Sequence, residues 1–253
     1  MNQRRPGRKA VASAWVLALA GALAQGADPV GAVEAAEEAL YTLPGLDHGL
    51  MQSPVNILTQ SARSGRHTVL FHDDHVAAQA VRNTGHSVQL PFGAGATVDF
   101  EGKRYAFSQC HFHTPSEHQI DGVTFPMEMH CVSATAQGDP PDYLVMGFLF
   151  KMGAESAFLS KFVAAIPGEA NTDASLPQEP LYLEDIAREG STEQGYYTYR
   201  GSLTTAPYTE SVRWLVLKHV LQASPAQIER INAAEGNNAR HVQALFGRIV
   251  DQQ

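Results

Sequence analysis

His111, His113 and His130 stand in one stretch, Q-C-H-F-H-T-P-S-E-H-Q-I-D-G-V-T-F-P-M-E-M-H-C-V, residues 109–132. Side chains alternate faces along a strand, so His111 and His113 share one. Asp121-Gly122 has the chemistry of a two-residue hairpin turn, whose central positions take φ > 0. Pairing Ile120 with Val123 puts His113 opposite His130, and opposed residues point to the same face. A slip of two residues keeps that parity; a slip of one sends His130 to the far side. Three imidazoles then converge from two adjacent strands, which suits three corners of a tetrahedral metal site with the fourth left open. Gln109, Glu117 and Glu128 fall on the same face. A metal-bound imidazole usually gives its second ring N–H to such an acceptor. Gln109 and Glu128 are each two residues from a histidine on one strand, well placed for that task.

The elements that must hold these residues are mostly strands. Short β-rich runs punctuated by turns occur at 67–71, 76–82, 85–91, 103–113, 116–120, 123–133, 143–151 and 211–218. Two helices are expected. One covers about 154–165, with Phe158, Leu159 and Phe162 as its apolar stripe. The other covers about 225–234, with Ser224 as N-cap, Pro225 at the first position and Gln227 completing a capping box. The Pro-, Asp- and Glu-rich stretch from Gly168 to Glu193 reads as loop. No boundary looks like a domain linker, so residues 45–253 are expected to form one β-dominated α+β domain. Asp73-Asp74, flanked by His72 and His75, reads as a solvated turn rather than a second metal site.

The first 24 residues resemble an export signal. Arg4, Arg5, Arg8 and Lys9 precede an apolar run from Ala10 to Ala24, and Ala22-Leu23-Ala24 is an A-x-A cleavage site, with Ala27 a close second. The run is too short, and too rich in Ala and Gly, for a membrane span. Its removal takes four positive charges and no acids, so the formal net charge goes from −8 to −12. Such a chain has no electrostatic case for nucleic acid. A periplasmic or secreted protein is expected, with residues 25–44 as a mobile lead before the domain. Cys110 and Cys131 are the two cysteines. They fall on the face opposite the histidines, on adjacent strands, opposed or diagonal according to register. Bridges between neighbouring strands are geometrically demanding, so two buried free thiols are expected, with a disulfide as the alternative.

These blocks resemble the α-class carbonic anhydrases. Q-C-H-F-H-T-P-S-E-H is similar to that family's H-x-H…E-H signature in its shorter form, and E-M-H-C-V to its E-x-H-x-V. Gln52-Ser53-Pro54-Val55-Asn56-Ile57, Asn83-Thr84-Gly85-His86, Tyr199-Arg200-Gly201-Ser202-Leu203-Thr204-Thr205-Ala206-Pro207 and Asn238-Ala239-Arg240-His241-Val242-Gln243 resemble four further family blocks, in order. The resemblance implies a central, mostly antiparallel twisted sheet of about ten strands with peripheral helices. It also implies reversible hydration of CO2 to bicarbonate and a proton by zinc-bound hydroxide, with Zn2+ on His111, His113 and His130.

By the same resemblance Thr204 accepts a hydrogen bond from the hydroxide and donates to Glu117. Thr205 contacts bicarbonate. Val132, Val145, Leu203 and Trp214 form an apolar CO2 pocket, a role that ordinary core packing would equally explain. His86 matches a proton shuttle, a task suited to a side chain that titrates near neutrality. Asn238 accepts a ring N–H of His113 through its carbonyl, and His118 is a structural histidine beside the site. Partners are limited to a small-molecule substrate, and the chain is expected to be a monomer or dimer. The family's aromatic W-x-Y segment has no counterpart before Gln52, which removes a tyrosine that orders active-site water in relatives. Ala206 replaces a proline. H-x-H-x-x-x-E also opens the cupin metal motif, but the later P-x-G-x-x-H block is missing here. A catalytically silent relative is the other alternative, and it would be expected to lack a ligand, Thr204 or Glu117; all are present.

Overall fold

Lys103–His113 and Met127–Gly138, the segments that carry the histidines, are the long antiparallel strands at the centre of the molecule, joined on one side by Pro141–Met152. The computed structural model describes residues 49–253 other than 73, 74, 139, 177–179 and 191. The export signal at 1–24, the lead at 25–44 and the Asp73-Asp74 turn lie outside the described residues. From edge to edge the main sheet runs Thr172–Ala174, Val81–Asn83, Val88–Pro91, Lys103–His113, Met127–Gly138, Pro141–Met152, Val212–Leu217, Tyr196–Gly201, Asp251–Gln252 and Arg63–Ser64. Neighbours are antiparallel except where Pro141–Met152 meets Val212–Leu217 and Leu221–Ala223, and where Asp251–Gln252 meets Arg63–Ser64. Val69–His72 and Thr97–Phe100 form a side branch against the start of Lys103–His113.

The hairpin register differs from the one extrapolated from its turn. Ile120 does pair with Val123 and Gln119 with Thr124, but this tip belongs to a separate small sheet with Asn56–Ile57. In the main sheet His111 faces His130 and His113 faces Glu128, a slip of two residues. The irregular arms between the two sheets are unequal, 114–118 against 125–126, so the turn does not transmit its register. Parity survives, and the three histidines keep one face. Glu117 lies on the longer irregular arm, where strand alternation does not apply.

The slip overturns the expectation of free thiols. It sets Cys110 directly opposite Cys131, with Cα atoms 4.2 Å apart, and the two form a disulfide. The extrapolated register would have left them diagonal. Direct opposition at the close approach of a non-hydrogen-bonded antiparallel pair brings the sulfurs within reach.

Other segments depart from expectation too, among them the strands Thr97–Phe100 and Tyr196–Gly201, which lie outside the expected runs. The helix expected over 154–165 is a single turn, Ala157–Ser160, capped by Ser156, followed by a 3-10 turn at Val163–Ala165. Phe162 leaves helical geometry at φ −137°, which lets Phe158, Leu159 and Phe162 all reach the same core. The stretch read as loop contains the edge strand Thr172–Ala174 and the helix Leu183–Glu189. Asp185 accepts a hydrogen bond from the Tyr182 backbone N–H, and Arg188 sits in the last turn, where a cation suits the helix dipole. Seven residues with Ile186 as the one buried apolar side chain show no usable periodicity. Pro225–Glu235 forms as expected, with the Ser224–Gln227 capping box closed in both directions. The helices cover one sheet face, over a core that includes Cys110, Phe112, Met129, Cys131, Phe148 and Phe150. The opposite face carries the histidines.

Candidate metal centre

His111, His130 and Gly147 lie side by side across the three central strands. A Cβ on Gly147 would stand 2.9 Å from Glu128 Oε1, so the bare glycine leaves room for the Glu128–His130 pair. The three imidazole centroids are 4.6–5.3 Å apart. One nitrogen from each can be chosen so that all lie within 4.8 Å of one another. His113 and His130 are buried and His111 is half-buried.

The remaining ring nitrogens decide the tautomers. His111 Nδ1 is 3.0 Å from Gln109 Oε1, and His130 Nε2 is 2.9 Å from Glu128 Oε1. Both partners only accept, so these nitrogens hold the protons and leave His111 Nε2 and His130 Nδ1 with lone pairs. Neither ring nitrogen of His113 has a hydrogen-bond partner among the described residues. Burial brings the His113 pKa down to about 4, against the pull of the Glu128 charge and then of Asn238, which lies beside the ring and also favours its charged form. The Asn238 backbone, the partner expected for His113, thus lies next to the ring, outside strict hydrogen-bond geometry. The Asn238 amide instead donates to the carbonyls of His86 and Phe112, at 2.8 and 3.1 Å, and accepts from Thr114 N–H. Burial, then the neighbouring rings, holds His111 well below its ordinary range; burial also lowers His130 against the pull of Glu128. The site is therefore three neutral nitrogen donors, two with fixed tautomers and one with buried nitrogens that nothing else satisfies. That donor set fits a zinc-like dication with an open fourth position.

Glu128 is fully buried and meets four donors. Glu117 N and His118 N reach Oε2 at 2.9 and 2.8 Å, while His118 Nδ1 and His130 Nε2 reach Oε1 at 2.7 and 2.9 Å. Burial opposes its ionisation, but His118 and His130 overcome that and hold it well below the ordinary carboxylate range. His118 Nε2 continues to Tyr199 Oη at 2.6 Å, and Tyr199 to Ser53 Oγ at 2.9 Å. His118, Glu128 and His130 are close enough to suggest a second metal cluster, yet these hydrogen bonds already use the atoms it would need. Trp214 stacks edge-on against both His118 and His130, at 4.7 Å.

Glu117 points into the histidine cluster, with Oε2 3.6 Å from His113 Nε2 and 3.8 Å from His130 Nδ1. Its Oε1 accepts from Arg240 N–H at 2.9 Å. Burial raises its pKa, offset by His130, the Thr204 hydroxyl and the Arg240 amide. Thr204 is buried beside it and Thr205 is exposed. A cleft of about 510 Å³ is lined by His86, Gln109, His111, His113, Thr205 and Asn238, among others. The exposed His86 thus shares one opening with His111 and His113. Val132, Val145, Leu203 and Trp214 belong to a single apolar cluster. Tyr199, Ser53, Ser202 and the Arg240 amide were not singled out as site residues in the sequence. They lie inside the quoted blocks, but only the fold shows what they touch.

Residues 43–253 match the family model described as eukaryotic-type carbonic anhydrase. The chain belongs to this family. It is 36% identical over 203 residues to a carbonic anhydrase of Pectobacterium atrosepticum, covering 80% of each chain. It is 36% identical over 207 residues to one of Neisseria gonorrhoeae, covering 80% of this chain and 77% of the relative. The α-carbonic anhydrase of Thermovibrio ammonificans, solved with the inhibitor sulfanilamide, superposes with a TM-score of 0.72 at 33% identity over 80% of this chain and 87% of the other. Membership accounts for the order of the quoted blocks and for the mostly antiparallel sheet.

Proposed function

We propose that the chain catalyses the reversible hydration of CO2 to bicarbonate and a proton, with one Zn2+ held by His111, His113 and His130. The observation that carries this reading is the convergence of those three neutral imidazoles, with Gln109 and Glu128 fixing two of their tautomers. Zinc on neutral ligands supplies Lewis acidity that lowers the pKa of water to about 7, the figure established for carbonic anhydrases as a class.

The rest of the work falls to side chains. Glu117, held by the Arg240 amide, accepts a hydrogen bond from the Thr204 hydroxyl, so the Thr204 oxygen is left to accept a hydrogen bond from the attacking oxygen. That arrangement orients the nucleophile and disfavours ligands with no proton to give. Val132, Val145, Leu203 and Trp214 offer an apolar wall to a substrate without a net dipole. Thr205 at the cleft mouth contacts bicarbonate. His86, on the same cleft and exposed, carries the product proton to buffer. Export to the periplasm or beyond is supported by the charged-then-apolar start of the chain and by a disulfide that suits an oxidising compartment. Stopped-flow CO2 hydration tests the reading: activity is expected in the zinc-loaded protein and its loss on chelation. Zinc-loaded protein no faster than His111→Ala would sink it.

A further inference from the structure

The sheet face opposite the histidines carries a feature that hydration does not use. Arg200 and Arg213 are directly opposed on neighbouring antiparallel strands, where like charges disfavour each other. Neither guanidinium has a carboxylate within ion-pair distance or a side-chain hydrogen bond among the described residues. Arg63, Arg82, Arg104 and Arg188, by contrast, each hold an aspartate. Arg213 is half-buried, its guanidinium 5.6 Å from the centre of the Phe100 ring. Burial, then the charge of Arg200, lowers its pKa. Both arginines line a cavity of about 330 Å³.

Three carboxylates also line that cavity, and each is engaged elsewhere. Asp142 pairs with Lys103. Glu101 accepts from the Thr68 N–H at 2.7 Å. Glu210 accepts from the Met51 N–H and the Gln52 amide at 2.7 and 2.9 Å. Only Asp142 has a lysine or arginine partner among them, and the guanidinium N–H groups of Arg200 and Arg213 are donors of this cavity with no hydrogen bond among the described residues. Each planar guanidinium fork matches the paired oxygens of an oxyanion, and both line the same cavity.

We infer that Arg200 and Arg213 form a binding site for a small oxyanion, on the sheet face away from the metal centre. A bound phosphate or similar anion would bridge the two guanidiniums and remove their mutual repulsion. The site is independent of the hydration chemistry, so its occupancy can be read without an activity assay.

The test is the melting temperature of the zinc-loaded protein in inorganic phosphate and in chloride at matched ionic strength. At phosphate tenfold above its Kd the wild type should gain about 4 °C. Arg200→Gln, at an exposed position, should fold and lose that gain while keeping CO2 hydration within about twofold of the wild type. Arg213→Gln should behave alike if it folds. No gain in the wild type, or a full gain retained in Arg200→Gln, overturns the site.

Discussion

Replacing Glu128 with Gln changes one oxygen to an NH2 and should weaken the centre's affinity for zinc. The carboxylate faces two backbone N–H groups on one oxygen and two imidazole nitrogens on the other. The backbone donors cannot turn, so the amide oxygen must serve Glu117 N and His118 N. The NH2 then faces His118 Nδ1 and His130 Nε2. His118 can move its proton to Nε2, towards Tyr199. His130 can accept from the amide only by placing its proton on Nδ1, the nitrogen that holds the lone pair for the metal. If the metal keeps Nδ1 instead, the amide and the ring present donors to each other, and two buried groups go unsatisfied at about 1–3 kcal/mol each. Loss of such a supporting partner typically weakens metal affinity by about 10–100-fold, or about 1.4–2.7 kcal/mol. Competition with a zinc chelator gives the affinity, and denaturant unfolding of the metal-free protein gives the stability change separately. A folded Glu128→Gln protein that binds zinc within twofold of the wild type would refute the tautomer argument.

His86→Ala should slow CO2 hydration about tenfold or more in weak buffer, with rescue by added imidazole; unchanged turnover without buffer would remove the shuttle role. Cys110→Ser/Cys131→Ser opens a link between residues 21 apart and should lose about 3 kcal/mol. Thermal melts with and without reductant check this, and a loss below about 1 kcal/mol would contradict the chain-entropy account. Glu235, buried against Val88 N and Thr114 Oγ1, has its pKa raised by burial from 4.5 to about 8. Its folded form therefore binds a proton more tightly than the unfolded chain, so its contribution is full below about 4.5 and is lost as pH rises towards 8. The wild type should lose up to about 5 kcal/mol across that window relative to Glu235→Gln; parallel pH–stability curves for the two proteins would rule this out.

The convergence of the three histidines was legible because parity is robust. A strand slipped by two residues keeps every side chain on its face, so the histidine cluster survived a register read wrongly from the turn. The disulfide was not legible for the same reason. Whether Cys110 meets Cys131 depends on the register itself, which the unequal arms at 114–118 and 125–126 set. Glu117 reached the site, but not by strand alternation: it sits on an irregular arm, tied down by the Arg240 amide and by its own N–H to Glu128. The Tyr199–His118–Glu128 chain joins residues far apart in sequence, and no local pattern announces such contacts. Leu183–Glu189 was hidden because a helix of seven residues with one buried apolar side chain offers no period to detect.

The most direct test of the metal centre is a titration of zinc into metal-free protein, following the initial rate of CO2 hydration. The rate should rise linearly and break at one zinc per chain in the wild type, and stay at the uncatalysed level in His113→Ala. A rate that does not respond to zinc, or that rises equally in His113→Ala, would contradict the three-histidine site.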